Sequence, residues 1–250
     1  MEEMLLIAKS DLETAKLLYR EKKYADSLYH YHQCVEKIVK YIGLSTGKIA
    51  DEQLSKEIKH DPIKIFKLIL EYASEQLNGI LSPIDKHLFT NAKQIIDSNS
   101  EEFIVNQVKS TIKSIYNEKY VIDVRKYSSH FDAVCDYISK VIPEMASRLN
   151  ELKDNQYMQN IFGHQVEDFL LFINYGVKIL KILLMNSMIC CKFKPDDFRY
   201  PNSKIGNPLG YFKKKNPFIK NLPYLMKSME LPLKYAGQIK WSQISESRQG

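Results

Sequence analysis

The residues best suited to chemistry lie in the run Arg125-Lys126-Tyr127-Ser128-Ser129-His130. Ser129 and Asp132, three residues later, have the spacing of a capped helix start, which predicts that His130 lies in the first turn of a helix. A phosphate at that position meets free backbone N–H groups and the positive end of the helix dipole, and Arg125 can bind it in a fork. Since an imidazole titrates near neutral pH, it can also move a proton. The run predicts a phosphodiester site.

Arg125 and His130 also have a purely structural interpretation. Arg125 can pair with a nearby carboxylate such as Asp123, and His130 can be an ordinary residue at a helix start. With five arginines and six histidines in the chain, such a spacing also arises by chance. The pair therefore supports a catalytic site only together with the helices predicted around it.

A second candidate surface lies at 192–240, where eleven lysines and arginines stand against three acidic residues. The formal charge of this segment is +8, while the whole chain carries +6. Lys213, Lys214 and Lys215 can bind phosphates while neighbouring rings stack on unpaired bases. The rings can instead pack on the helical body or on a second subunit, and we favour that role for them. The neighbouring rings are Tyr211, Phe212 and Phe218.

The composition indicates a protein with a sizeable core and argues against a metal-binding protein. The chain has 250 residues and is 44% hydrophobic, enough for a substantial core. The four cysteines form no cluster at the spacing of metal ligands, so we interpret them as buried thiols and expect no metal and no cofactor. His32 and Glu36 share a helix face, but a third ligand is not evident, which favours a solvated or interface face over a metal site.

The most apolar segment lies at 166–191 and predicts a core helix. Lys178 and Lys181 interrupt it, and its longest uncharged run, 182–191, is too short to cross about 30 Å of hydrocarbon. The first residues lack the basic and apolar stretches of a secretion signal. We therefore expect a cytoplasmic protein that makes no use of a membrane.

Apolar spacings of three and four run through most of the chain, and no segment alternates as a strand does. The fold class is therefore all-α, with a helical bundle at 1–191 and a basic extension, rich in proline and aromatic residues, at 192–250. That extension is expected to pack on the bundle or on a partner. Pro143 predicts a kink or a break in its helix. The predicted helices are 2–20, 24–42, 62–78, 84–98, 101–119, 129–154 and 164–191.

The first two predicted helices form a hairpin around a short polar turn at 20–23. Their residue order resembles the start of the HEPN family, small helical domains named for nucleotide binding in higher eukaryotes and prokaryotes. A tetratricopeptide unit or an unrelated bundle has a similar hairpin, but no second copy follows at the roughly 34-residue period of that repeat. The matching positions are Ala15, Leu17, Leu18, Tyr24, Ala25, Glu36, Lys37 and Lys40.

The HEPN resemblance implies a metal-independent ribonuclease, frequently found in toxin or phage-defence systems. Family ribonucleases carry an arginine and a histidine four to six residues apart, which Arg125 and His130 match. The histidine moves a proton between the ribose 2′-hydroxyl and the leaving oxygen, and the arginine stabilises charge at phosphorus. Active members usually have Asn, His or Asp after the arginine, whereas this chain has Lys126.

The same resemblance implies partners. HEPN protomers face each other across a shared cleft, so we expect a homodimer, and the apolar helix at 166–191 offers more apolar face than a small bundle covers. The expected ligand is RNA or a nucleotide, bound by Lys126 and by Lys213, Lys214 and Lys215. The alternatives are a noncatalytic module that partners a nucleotidyltransferase, and a structural helical dimer. An antitoxin is a further candidate partner.

Overall fold

A computed structural model describes residues 2–47, 49–54, 60–66, 68, 91–92, 94–117, 135–136, 139–140, 143–147, 150 and 171–244. Helices dominate these residues, and the described part contains no strand beyond an isolated bridge between Asn202 and Gly206. The predicted all-α bundle is thus confirmed. The principal helices are α1 (Glu2–Arg20), α2 (Tyr24–Ser45), α3 (Glu101–Asn117), α4 (Val177–Cys191), α5 (Pro217–Ser228) and α6 (Glu230–Tyr235).

The predicted hairpin is formed by α1 and α2, which pack along their lengths. A Schellman turn joins them: Lys22 takes a left-handed φ of 60°, and the Lys23 N–H donates to the Leu18 carbonyl at 2.9 Å. Small residues keep the two helices close, since the Ser27 hydroxyl donates to the Ala15 carbonyl at 2.7 Å. The short polar turn therefore positions every side chain of α2 that faces α1.

A short helical segment at 62–66 packs against α2 at Gly43. A Cβ at Gly43 would lie only 2.9 Å from the Ile65 methyl group, so the absence of a side chain permits this approach. Asp61 caps this segment, because its carboxylate accepts the Ile63 N–H at 3.2 Å. The remainder of the predicted helices 62–78, 84–98 and 129–154 falls largely outside the described residues. Pro143–Met145 form a 3-10 turn, which agrees with the predicted break.

Helix α4 is the centre of the fold, and nearly all of its residues are buried. It contacts α2, α3, α5 and α6 within the same chain. The Tyr31 hydroxyl donates to the Asn186 amide oxygen, and Asn186 Nδ2 donates to Ser228 Oγ at 3.1 Å, which ties α2, α4 and α5 together. The expectation that this apolar helix leaves surplus face for a second subunit is wrong, because later segments of the chain cover it.

The described part of the C-terminal segment, 192–244, is largely helical, although no helix was predicted beyond 191. Pro195, Pro208 and Pro217 each occupy the start of a helix or 3-10 turn, where the missing N–H has no intrahelical partner to lose. Asn216 caps α5 by accepting the Phe218 N–H at 2.9 Å. Here proline marks helix starts rather than the absence of helices.

Four phenylalanine rings of this segment pack on one another and on α2. Phe193 contacts Phe198, Phe212 and Phe218 at centroid distances of 5.2 to 5.9 Å. Phe198 also meets the ring of His32 edge-on at 5.9 Å. The structural role that we favoured for the aromatic residues is therefore confirmed for this cluster.

Cys34, Cys135 and Cys190 are buried free thiols, as predicted. Cys191 is only half-buried, and its thiol lies 3.4 Å from the Asp61 carboxylate. Across the described residues, none of the helices combines the length and the apolar character that a membrane span requires.

Candidate functional site

The predicted catalytic run with Arg125, Lys126 and His130 lies outside the described residues. Helix α3 ends at Asn117, and the run follows it in sequence. The assignment of these three residues therefore stays a prediction. The described residues place two other groups of charged side chains, one on the hairpin and one on the C-terminal segment.

The hairpin carries an ion-pair network centred on Asp11 of α1. Its two carboxylate oxygens lie 2.9 Å from His30 Nδ1 and 2.8 Å from Lys37 Nζ. Lys37 also donates to Gln33 at 3.1 Å, one turn earlier on α2. His30, Gln33 and Lys37 share a face because they are three and four residues apart. Asp11 thereby neutralises Lys37 and locks the two helices in register.

A second network surrounds Glu36, whose carboxylate is almost fully buried. Lys40 donates to it at 2.6 Å, and His60 Nδ1 lies 3.1 Å from its other oxygen. Burial alone raises the pKa of Glu36, but the hydrogen bonds from Lys40 and His60 outweigh burial and lower the pKa. The carboxylate therefore stays charged and joins α2 to the segment at 60–66. The ion pair between Glu36 and Lys40 is the one that a spacing of four residues on a helix favours.

His32, one turn before Glu36, is buried, and the favoured solvated or interface face is wrong for this residue. Neither ring nitrogen has a hydrogen-bond partner in the part of the chain that the structure describes. Burial lowers the pKa of His32 to about 4, so the ring is neutral at physiological pH. Phe198 of the C-terminal segment covers it, which the pattern of α2 alone does not reveal.

A groove of about 400 Å³ runs beside these networks, between the start of α1 and the middle of α2. Its cations, Lys37 and Lys40, are bound to Asp11 and Glu36. The groove thus offers little net positive charge to a phosphate. Within the described residues, no group of three or more His, Cys, Asp or Glu side chains could hold a metal ion.

Lys213, Lys214 and Lys215 lie in the turn before α5, and all three are exposed. Of the neighbouring rings, Phe212 and Phe218 are buried, and the Tyr211 hydroxyl donates to the Glu101 carboxylate at the start of α3. The rings therefore anchor the turn on the helical body, and only the lysines reach solvent. The structure brings these lysines together but leaves their role as a nucleic-acid surface a prediction.

A pocket that was not predicted from the sequence lies where α3, α5 and α6 meet. It is lined by tyrosines and lysines, and we call it the tyrosine–lysine pocket. Its members come from three separate stretches of the chain, so no local spacing identifies them. Its principal side chains are Lys113, Tyr116, Tyr175, Lys227, Lys234 and Tyr235.

Comparison with known proteins identifies the N-terminal part of the chain. Residues 1–91 match the model of the HEPN domain, which confirms the resemblance carried by the hairpin. A protein of Methanocaldococcus jannaschii named "Putative toxin MJ1304" is 28% identical over 130 residues, covering 45% of this chain and 86% of that protein. No solved structure matches.

Proposed function

Since residues 1–91 match the HEPN domain family, we propose that this protein engages RNA as a metal-independent endoribonuclease of a toxin or phage-defence system. The observation that carries the proposal is this match, in a chain that also has an arginine and a histidine at the spacing of the family's ribonucleases. The toxin setting draws support from the name of the M. jannaschii relative.

In the proposed reaction, Arg125 and His130 act on one phosphodiester. His130 accepts the proton of the ribose 2′-hydroxyl as the 2′-oxygen attacks phosphorus, and a proton is delivered to the leaving 5′-oxygen as its bond to phosphorus breaks. Arg125 stabilises the charge that develops on the phosphoryl oxygens. The products are a 2′,3′-cyclic phosphate and a free 5′-hydroxyl. Lys126 binds a neighbouring phosphate.

A second candidate function is a noncatalytic RNA-binding module that partners a nucleotidyltransferase. The observation that favours it is Lys126, which stands where active family members usually have Asn, His or Asp. In either function, Lys213, Lys214 and Lys215 supply a basic RNA surface. The segment at 192–250 then acts as an appended binding unit on the bundle at 1–191, and an antitoxin is the expected partner of a toxin.

We also propose a homodimer, because the family shares its cleft between two protomers. On α1, Leu6 and Leu17 are exposed to 68% and 57% and lie three turns apart on the same face. These exposed leucines can contact a second copy of the chain. Light scattering at micromolar concentration should give twice the 29.2 kDa chain mass, whereas a monomer mass would reject the dimer.

The cleavage proposal is tested with single-stranded RNA in the presence of excess chelator. The parent protein should cleave, and the His130→Ala and Arg125→Ala variants should each lose about 100-fold or more of the rate while unfolding at the parent's temperature. The cleaved RNA should carry a cyclic phosphate end. RNA binding without cleavage by any of the three proteins would favour the binding module.

Matched controls come from side chains of the same type elsewhere in the chain. Arg20 is exposed at the end of α1, and His60 belongs to the structural network with Glu36. The Arg20→Ala and His60→Ala variants should keep the cleavage rate. If the control variants lost as much of the cleavage rate as the Arg125 and His130 variants, the catalytic assignment of Arg125 and His130 would be rejected.

A further inference from the structure

The tyrosine–lysine pocket has the volume of a small-molecule site. Its volume is about 590 Å³, within the roughly 300 to 1,000 Å³ typical of ligand pockets. One wall is the C-terminal end of α3, with Lys113 and Tyr116, and the other is formed by the end of α5 and by α6. All of these residues lie outside the HEPN match at 1–91.

Aromatic rings provide the flat surface of this pocket. The rings of Tyr175 and Tyr235 stack in parallel, with centroids 4.1 Å apart and planes inclined by 12°. Tyr116 is fixed beside them, because its hydroxyl donates to the Ser228 carbonyl at 3.2 Å. Tyrosine faces that remain partly exposed are suited to stacking on a planar heterocycle.

The backbone that carries Tyr175 is itself unusual. Phe172–Gly176 form a single π-helical turn directly before α4, a feature that is rare and frequent at functional sites. Gly176 fits this turn because a Cβ there would lie 2.5 Å from the Phe172 ring. Phe172 packs against the buried Trp241 at a centroid distance of 6.1 Å. The π turn thus places Tyr175 against Tyr235 on a firmly packed base.

The cations of the pocket differ from those of the hairpin in the ion pairs that the described residues form. Among the described residues, no carboxylate lies within ion-pair distance of Lys113, Lys227 or Lys234. The pocket's acidic residue, Glu230, is bound by Lys16 of α1 at 2.9 Å. The lining therefore has a net positive charge. A hydrogen bond from Lys234 lowers the pKa of Tyr235, which agrees with a positive potential at that ring.

From this combination we infer that the tyrosine–lysine pocket binds a nucleoside phosphate. The base stacks on the Tyr175 and Tyr235 pair, and Lys227 and Lys234 bind the phosphates. Stacking rings beside ammonium groups that make no ion pair within the described residues match a ligand that is planar at one end and anionic at the other. The ligand is either a free nucleotide or a nucleotide of single-stranded RNA, and the two sources share this chemistry.

The inference does not rest on the proposed cleavage activity. The residues from which it is argued do not include Arg125 or His130, so a protein that cleaves no RNA can still bind a nucleotide there. Binding is measured on the full-length His130→Ala variant, which keeps the RNA probe intact. The two probes are ADP, followed by calorimetry, and fluorescein-labelled hexauridylate, followed by polarisation at fixed salt.

Replacing Tyr235 with Ala should weaken binding of the recognised probe by about 10-fold, whereas Tyr235→Phe should retain it, because stacking needs the ring and not the hydroxyl. The Lys227→Ala, Lys234→Ala double variant should also lose about 10-fold. Glu230→Gln should tighten binding by about 2-fold, since it removes the negative charge of the lining. A substitution that merely loosened the fold would not have this opposite effect.

Matched controls are Tyr200→Ala and Lys220→Ala, which remove an exposed tyrosine and an exposed lysine away from the pocket lining. Both should bind like the parent, and thermal unfolding should show that every variant is folded. Binding of ADP identifies a free-nucleotide site, and binding of hexauridylate alone identifies an RNA subsite. Binding of neither probe overturns the inference. Pyrophosphate binding as tightly as ADP also overturns it, because the base then contributes nothing.

Discussion

The α1–α2 hairpin and the C-terminal segment use charge in opposite ways. On the hairpin, the pair of Lys37 with Asp11 joins α2 to α1, and the pair of Lys40 with Glu36 neutralises a buried carboxylate within α2. On the C-terminal segment, the exposed lysines of the turn at 213–215 and the pocket residues Lys227 and Lys234 make no ion pair within the described residues. Charge that is paired internally stabilises a fold, whereas unpaired charge remains available to a ligand.

Among the tests of this comparison, the largest effect is expected for Glu36→Ala. Removing the buried carboxylate leaves the partly buried Lys40 ammonium without its partner, which should lower the free energy of unfolding by about 2 to 3 kcal/mol. The matched control is Glu230→Ala, which breaks the half-exposed pair with Lys16 and should cost at most about 0.5 kcal/mol. Urea unfolding at pH 7 measures both. Equal losses would contradict the distinction between structural and available charge.

The next prediction concerns the loss of stability in acid. His32 has a pKa of about 4 in the folded protein and 6.5 in the unfolded chain, because it is buried in the fold. Its contribution to stability is complete above pH 6.5 and is lost as the pH falls towards 4, since only the unfolded ring takes up a proton in that window. Acidification from pH 7 to pH 5 should therefore lower the free energy of unfolding by about 2 kcal/mol through this residue.

The control for this prediction is His32→Phe, a ring of similar size that does not titrate. Other groups titrate in both proteins, so the informative quantity is the difference between parent and variant in the pH dependence of urea unfolding. The variant should lack the 2 kcal/mol of acid sensitivity. An unchanged pH dependence would show that His32 is not protected from protons by burial.

The smallest effect on stability is expected at the C-terminal turn. Replacing Lys213, Lys214 and Lys215 with Ala should change the free energy of unfolding by no more than about 0.5 kcal/mol, because their side chains are exposed. If the lysines bind RNA, the affinity should fall and the salt dependence should decrease by up to about two counterions for a single strand. A double variant of the exposed Lys9 and Lys23 is the control, and it should keep the parent's salt dependence.

The sequence allowed the hairpin to be predicted closely because its determinants are local. The apolar spacing fixed α1 and α2 to within a few residues, and the turn at 20–23 was expected from its polar run. The Glu36 and Lys40 pair followed from their spacing of four. The burial of His32 did not, because it depends on Phe198, a residue far along the chain.

The C-terminal segment was predicted less well for the same physical reason. No helix was predicted beyond 191, because the role of its prolines as first helical residues depends on caps such as Asn216 and because its helices are short. The tyrosine–lysine pocket joins Tyr116, Tyr175 and Tyr235, which only tertiary packing brings together. The roles of Arg125, Lys126 and His130 stay a prediction. RNA cleavage by the variants tests the roles of Arg125 and His130.

The cover over α4 has a consequence for synthesis of the protein on the ribosome. Helix α4 ends at Cys191, but α5 and α6, which contact it, are complete only at Tyr235. At roughly 5 to 20 residues per second, translation of the intervening segment takes about 2 to 9 s. During this interval the most apolar helix of the chain lacks part of its cover, and is open to chaperones and to other nascent chains. A frameshift or nonsense mutation between these helices should therefore yield an aggregation-prone product instead of a shorter folded protein.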